Sequence, residues 1–327
     1  MDVENESGLV TKPSKSFVEA LAKRKYEKAI ALIKSSQLNV NKVCSYDVYR
    51  LKPLSLVIKC FYRKDLVQAI IDAGADVNAT GWYYIKDRDG RLTTGQQYVT
   101  PLYQAVIEES NKDLVLLLIQ AGADVNKLTG KSRFKEEEGG TIEFCTNSTC
   151  LHHCVSKIKD SQSRCQMLQV LLESAANYSL PNDHGFIPLQ ISLMEQYSDC
   201  VALLVRYGSI GNNLTSSVYS PLAIQFEAAS SSNTQILQVL LNGGYDAHRD
   251  EECSDIIKNF SKLCIEDSEL KDMYFVLKNW LCEPLMLKSI CRLRIRKSLM
   301  SKCNPNTLLS LPIPKQLQQY LNLCDII

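Results

Sequence analysis

Two stretches, LVQAIIDAGADVNAT (Leu66–Thr80) and LVLLLIQAGADVNKL (Leu114–Leu128), are nearly the same phrase and decide how the chain folds. Each joins an apolar run at helical spacing to a glycine and a short polar turn. Glycine ends a helix readily because it adopts left-handed backbone angles without a steric penalty. The recurrence predicts a repeated unit that closes with a helix and a turn.

A second phrase recurs upstream of the apolar runs. It appears as KPLSLVIK from Lys52, TPLYQAVI from Thr100, TCLHHCVS from Thr149, IPLQISLM from Ile187 and SPLAIQFE from Ser220. Proline in the first turn of a helix loses no hydrogen bond, since that N–H has no intrahelical partner. Each unit is therefore predicted to be a helix–turn–helix pair. One pair cannot bury its own apolar face, so several must stack.

These phrases resemble the ankyrin-repeat signatures T-P-L-H-x-A and G-A-D-V-N. The resemblance covers about residues 14–250 and gives about six units, of which FVEALAKRKYEKAIALIKSSQLNVNK (Phe17–Lys42) is the first and most degenerate. It implies an all-α fold, an ankyrin-repeat solenoid whose helix–turn–helix repeats carry β-hairpin-like finger loops. We expect residues 1–13 to form a disordered N-terminal tail.

The spacing of the second phrase reveals two insertions. Pro188 and Pro221 are 33 residues apart, whereas Pro53 and Pro101 are 48 apart and Pro101 and Cys150 are 49 apart. Each long gap therefore holds about fifteen residues beyond the regular ankyrin period. We place the inserted segments in the finger loops, near residues 79–98 and 127–147.

The first insertion contains three consecutive aromatic residues, Trp82, Tyr83 and Tyr84. Aromatic side chains are favoured at protein interfaces, and insertions in repeat arrays often map to the binding face. These residues are candidates for binding a target protein. The alternative, that they cover the ends of helices, stays open.

The resemblance also allows a modification. In ankyrin repeats with leucine eight residues before an asparagine and aspartate two before it, that asparagine can be hydroxylated. Leu118, Asp124 and Asn126 match this pattern. Asn126 is thus a possible hydroxylation site, and the alternative is an unmodified turn asparagine.

Five residues, Cys145, Cys150, His152, His153 and Cys154, form a Cys/His cluster of the kind that can bind zinc. The cluster fills the T-P-L-H position of a repeat, however. His152 matches a structural histidine that bonds backbone at the turn, and Cys154 falls on the apolar face of the first helix. We therefore expect no metal and no cofactor, with zinc as the alternative.

Composition and motifs bound the function further. The net charge of +1 provides no global field for nucleic acid, and no apolar stretch is long enough to span a membrane. The 13 cysteines and the polar N-terminal residues indicate a reducing, cytoplasmic location, with the nucleus left open. The chain has none of the common catalytic motifs, so we expect it not to be an enzyme.

The segment CEPLMLKSICRLRIRKSLM begins a new helix after Pro284. Its apolar residues recur at helical spacing, and its arginines therefore lie on the opposite face. A charge run is usually a solvated helix face, which is the expectation here.

This segment resembles the SOCS box, so the whole chain resembles the ankyrin-repeat and SOCS-box family. The resemblance implies a SOCS box over residues 283–327 after a helical cap or linker over residues 251–282. It assigns elongin binding to Leu287, Cys291 and Ile295. It assigns cullin binding to the L-P-x-P motif that follows, Leu311, Pro312, Ile313 and Pro314.

The family resemblance implies the substrate-recognition subunit of an E3 ubiquitin ligase. The ankyrin array would bind a target protein, and the SOCS box would bind elongin B, elongin C and a type-5 cullin that carries a RING protein. A leucine with apolar residues four and eight positions on makes a narrow stripe suited to a groove on a partner. The alternatives are a non-catalytic ankyrin scaffold without a ligase role, and C-terminal helices that only cap the repeats.

Overall fold

A computed structural model describes residues 12–86, 91–107, 111–137, 140–210, 220–227, 233–247, 250, 255–256, 268–282, 287–298 and 308–322. The chain divides into two compact units, residues 1–150 and 151–327. The expected N-terminal tail lies outside the described residues as far as residue 11, and so does about half of the expected cap.

The first unit contains three helix pairs. Their bounds are α1 Lys12–Ala22, α2 Tyr26–Lys34, α3 Pro53–Cys60, α4 Lys64–Asp72, α5 Pro101–Ile107 and α6 Lys112–Gln120. Further along the chain lie α7 Cys150–Lys157, α8 Ser161–Glu173, α9 Pro188–Met194, α10 Ser198–Arg206, α11 Pro221–Glu227 and α12 Asn233–Gly243. Three more described helices, which do not form close pairs along the chain, are α13 Ser268–Cys282, α14 Leu287–Ser298 and α15 Lys315–Leu321. None of the described helices combines the length and apolar character that a bilayer crossing requires.

The recurring phrases act as predicted at the helix ends. The prolines of the second phrase are the first residues of α3, α5, α9 and α11. The hydroxyl of Thr100 caps α5 by accepting the N–H of Tyr103 at 3.1 Å. At the other end of a pair, Gly122 adopts a φ of +92°, and the next N–H, of Ala123, donates to Leu118. Ankyrin-repeat helix pairs with hairpin fingers are thus the architecture of the chain.

The finger loops of the first unit form one antiparallel sheet of six strands in sequential order. The strands are β1 Cys44–Tyr46, β2 Tyr49–Leu51, β3 Gly81–Lys86, β4 Leu92–Val99, β5 Thr129–Glu137 and β6 Gly140–Ser148. Neighbouring hairpins join through strand pairs such as Tyr49 with Tyr83 and Tyr98 with Gly130. The two insertions therefore lengthen the hairpins.

An asparagine links each of the first repeats to the next. Asn41 donates from Nδ2 to the carbonyl of Gly74 at 3.0 Å and accepts from the N–H of Asp76 at 2.8 Å. Asn78 makes the same two bonds one repeat later, to Gly122 at 2.9 Å and from Asp124 at 2.7 Å. The asparagine of the G-A-D-V-N phrase is therefore a structural connector.

Candidate protein-docking site

Helix α14 presents two of its three arginines inward and several apolar residues outward. Arg292 and Arg296 are only 3% and 2% exposed, whereas Ile290 and Ile295 are 47% and 41% exposed, and Cys291 is exposed as well. Arg292 and Arg296 lie on the face opposite these apolar residues, as expected, whereas Arg294 is exposed. The expectation that this basic face is solvated is wrong for Arg292 and Arg296.

The burial of Arg296 has a clear cause. Its guanidinium donates to the carbonyl oxygens of Val205 at 2.6 Å, Leu321 at 2.7 Å and Gly243 at 3.3 Å. These carbonyls belong to the last turns of α10, α15 and α12, where helix carbonyls run out of intrahelical donors. The carbonyl of Val205 also accepts from the N–H of Gly208, just beyond α10. A cation at helix C-termini is also favoured by the helix dipoles. Arg296 therefore fixes α14 against three other helix ends.

Arg292 holds α15 in a second way. Its guanidinium carbon lies 3.5 Å from the centre of the Tyr320 ring, a stacked cation–π contact. Since one arginine stacks on α15 and the other caps it, the inward face of α14 is fully used in intramolecular contacts.

The outward face of α14 carries the residues assigned to elongin binding. Cys291 and Ile295 are exposed side by side at a spacing of four, and Ile290 extends the patch. Leu287 begins the helix, and its side chain lies outside the described residues. The sequence analysis did not assign Ile290 to this site.

The L-P-x-P segment leads directly into α15. Pro312 and Pro314 are exposed, whereas Leu311 and Ile313 are half-buried. The segment bends here, since the N–H of Ile313 donates to the carbonyl of Leu311 at 2.8 Å. The carbonyl of Leu311 accepts a 2.8 Å hydrogen bond from the side chain of Gln318, which holds the segment against the helix. Leu317, 49% exposed, adds an apolar side chain that the sequence analysis did not single out.

The aromatic residues of the first insertion lie on strand β3. Trp82 and Tyr84 pack edge to face with ring centres 5.2 Å apart, and Tyr83 packs likewise on Tyr49 at 5.4 Å. Lys59 lies 5.4 Å from the centre of the Tyr83 ring. These three aromatic residues are all half-exposed, so they pack on the sheet and still present aromatic surface to solvent.

Asn126 lies in the turn after α6 and is half-exposed. Its N–H donates to the carboxylate of Asp124 at 2.8 Å. This is the turn geometry of Asn78, the connector one repeat earlier, whose N–H donates to Asp76 at 2.9 Å.

His152 is confirmed as a structural histidine. Its Nε2 lies 3.0 Å from the carbonyl oxygen of Phe186, and burial lowers the pKa of the imidazole to about 4. Cys154 is fully buried on the apolar face of α7, as predicted. The side chain of Cys145 lies outside the described residues. Within the described residues, side chains arranged as potential metal ligands occur elsewhere, at Cys165, Asp199 and Cys200.

Comparison with known families agrees with this anatomy. The ankyrin-repeat model matches residues 98–130, and the SOCS-box model matches residues 283–322. No curated protein matches the chain. The chain thus combines an ankyrin repeat with a C-terminal SOCS box, an arrangement consistent with the ankyrin-repeat and SOCS-box family. Both domains are typical of non-catalytic adaptors.

Proposed function

We propose that this chain is the substrate-recognition subunit of a ubiquitin ligase built on elongin B, elongin C and a type-5 cullin with its RING protein. In this proposal residues 14–250 are the ankyrin repeats, residues 251–282 a helical cap, and residues 283–327 the SOCS box. The SOCS-box match and the exposed apolar face of α14 support it.

The exposure of Cys291 and Ile295 is the observation that carries the proposal. A helix that merely capped the repeats would bury its apolar residues and expose its arginines, because burying an unpaired charge is costly. Helix α14 instead buries Arg292 and Arg296 and exposes Ile290 and Ile295. An apolar helical stripe left open is suited to the groove of a partner protein, and elongin C is the partner that a SOCS box implies.

The L-P-x-P segment supports the cullin part of the proposal. Exposed prolines with fixed backbone angles lose little conformational freedom on binding, which favours their use as a docking element. Pro312, Pro314 and Leu317 are all exposed within six residues of the chain. The side chain of Gln318 holds the segment in place through its hydrogen bond to Leu311.

The target would bind to the ankyrin repeats, with Trp82, Tyr83 and Tyr84 as the first candidates. Hydroxylation of Asn126 stays a further prediction. The chain would carry no cofactor and no catalytic group. Its contribution is proximity, since holding a target beside the partner enzyme raises the local concentration of the reacting groups. We expect this to occur in the cytoplasm or the nucleus.

A pull-down with purified elongin B–C complex tests the proposal. Ile295→Glu should abolish capture, because the charge would have to be buried in the partner's groove. Met194→Glu is a matched control, because Met194 is 40% exposed and Ile295 is 41% exposed. The proposal is supported if the elongin complex captures the unchanged chain and the Met194 variant but not the Ile295 variant. Failure of the unchanged chain to bind would favour the second candidate, a scaffold that works through its ankyrin repeats alone.

A further inference from the structure

Two cysteines on neighbouring helices of the second unit form a pair. Cys165 lies on α8 and Cys200 on α10. Their sulfur atoms and a carboxylate oxygen of Asp199 all lie within 4.8 Å of one another. The thiol of Cys165 is 3.2 Å from Oδ2 of Asp199. A disulfide requires an S–S distance of about 2.05 Å, so the two sulfurs must move closer before the bond forms.

A buried guanidinium is fixed beside this pair. Arg164 is 3% exposed, and its Nε donates to Sγ of Cys200 at 3.2 Å. Its Nη1 donates to the carbonyls of Ile158 at 3.0 Å and Lys159 at 3.1 Å, and its Nη2 lies 3.4 Å from Oδ2 of Asp199. The positive charge therefore stays next to the sulfurs.

The two thiols differ in access. Cys165 is half-exposed, and Cys200 is buried. A hydrogen bond from Cys200 lowers the pKa of Cys165, and the charge of Arg164 acts weakly in the same direction, whereas partial burial and the Asp199 carboxylate oppose them. By contrast, burial raises the pKa of Cys44 to about 11 and that of Cys150 to about 12. Reactive cysteines are accessible to oxidants, and Cys165 meets this condition whereas Cys200 does not.

We propose that Cys165 and Cys200 are a redox-sensitive dithiol that closes to an intramolecular disulfide when a peroxide oxidises Cys165. The Cys165 thiolate attacks one oxygen of hydrogen peroxide and breaks the O–O bond. Sulfur gives up two electrons and becomes a sulfenic acid, and the departing hydroxide takes a proton to become water. Cys200 then attacks the sulfenic sulfur, the S–O bond breaks, and the hydroxyl leaves with the thiol proton as a second water.

The same ligand atoms raise the question of a metal ion. Thiolates and a carboxylate are acceptable zinc ligands. A divalent cation bound to Cys200 would, however, lie close to the guanidinium that donates to the same sulfur, and Arg164 is held there by two carbonyls. Repulsion between these charges favours the disulfide over zinc.

Mass spectrometry of the full chain tests the proposal. The chain is treated with increasing hydrogen peroxide, its remaining thiols are alkylated, and it is digested without reduction. We expect a cross-linked peptide pair joining Cys165 to Cys200, lighter than the two reduced peptides by two hydrogen atoms and lost on treatment with dithiothreitol. Cys60→Ser is the matched control, since Cys60 is also half-exposed, and it should retain the cross-link.

Two variants separate the steps. Cys165→Ser should abolish the cross-link, and Cys200→Ser should leave a sulfenic acid on Cys165 that reacts with dimedone. Circular dichroism confirms that each variant is folded. The proposal is overturned if Cys60 or Cys282 is oxidised before any Cys165–Cys200 cross-link forms. It is equally overturned if the purified chain retains one zinc ion that the Cys165 variant loses.

Discussion

The Nη2 atom of Arg296 donates a 2.6 Å hydrogen bond to the carbonyl oxygen of Val205, a residue 91 positions earlier in the chain. This bond joins the SOCS-box helix α14 to the last turn of an ankyrin-repeat helix. With the bonds to Gly243 and Leu321, it makes one buried side chain the meeting point of four helices. The outward direction of the apolar stripe on α14 follows from this anchorage.

Replacing Arg296 should destabilise the second unit strongly. Arg296→Ala would remove this donor from the carbonyls of Leu321 and Gly243, at about 1–3 kcal/mol for each group, so we expect a loss of at least about 2 kcal/mol. The carbonyl of Val205 would keep its bond from the N–H of Gly208. Arg296→Lys should recover only part of this, because an ammonium lacks the planar fork of donors. Chemical denaturation followed by circular dichroism measures both. Arg294→Ala, an exposed change on the same helix, should cost less than about 0.5 kcal/mol. Equal effects at positions 294 and 296 would contradict the anchoring role.

The two parts of the docking site should be separable. Changing Pro312 and Pro314 to alanine removes exposed prolines but leaves α14 untouched, so cullin association should fall by at least tenfold while elongin binding is kept. Sequential capture, first with elongin B–C and then with the type-5 cullin, reads the two steps separately. Gln316→Ala, an exposed change on α15, serves as the control. Loss of both partners together would mean that the segment does not divide in this way.

The fourth repeat carries a correctable strain. Ala175 occupies the position that glycine holds after α6, with a φ of +63°, and the following N–H makes the same bond back into its helix. An alanine in the left-handed conformation costs about 1–2 kcal/mol, which glycine would avoid. Glycine has more conformational freedom in the unfolded chain, however, and this reduces the gain by about 0.5–1 kcal/mol. Ala175→Gly should therefore raise stability by about 0.5 kcal/mol. Thermal unfolding measures the gain, and Gly122→Ala should give a loss. A lower melting temperature for Ala175→Gly would contradict this account.

His152 should make stability depend on pH. Its pKa is about 4 in the folded chain against 6.5 when unfolded, so only the unfolded state takes up a proton between those values. Stability is unaffected above pH 6.5 and is lost as pH falls, by about 1 kcal/mol at pH 5.5 and about 3 kcal/mol by pH 4.

Urea unfolding at pH 7.5, 5.5 and 4 measures this dependence. His152→Gln should flatten it, although the variant will be less stable at pH 7.5 because the bond to Phe186 is altered. His184→Gln, at an exposed histidine, should leave the slope unchanged. A slope that persists without His152 would assign it to another group.

Local rules of the sequence predicted much of the fold. Pro53 and Pro101 begin helices because proline fits only a first turn, and Gly122 ends one because its φ is positive. The spacing of the prolines predicted insertions in the finger loops, and the hairpins β3–β4 and β5–β6 occupy these parts of the chain. The sequence did not predict that the hairpins pair into one sheet. Each hairpin has a different polar sequence, and the hydrogen bonds that join the hairpins form between repeats.

The orientation of α14 was the part that local reasoning reversed. Periodicity separates Arg292 and Arg296 from the apolar residues but does not say which face is buried. The carbonyls that accept from Arg296 come from Val205 and Gly243, far away along the chain. Only tertiary structure brings those helix ends together, and it overrides the general rule that charges face water.

The asparagine connectors have an evolutionary consequence. Asn41 reaches Gly74 across 33 residues of sequence, and Asn78 reaches Gly122 across 44, yet the two bonds agree within 0.1 Å. The added residues lie in the hairpin, and the asparagine bonds that link the repeats are unchanged. Selection can therefore change the length or sequence of a finger loop to fit a new target without changing how one repeat packs on the next.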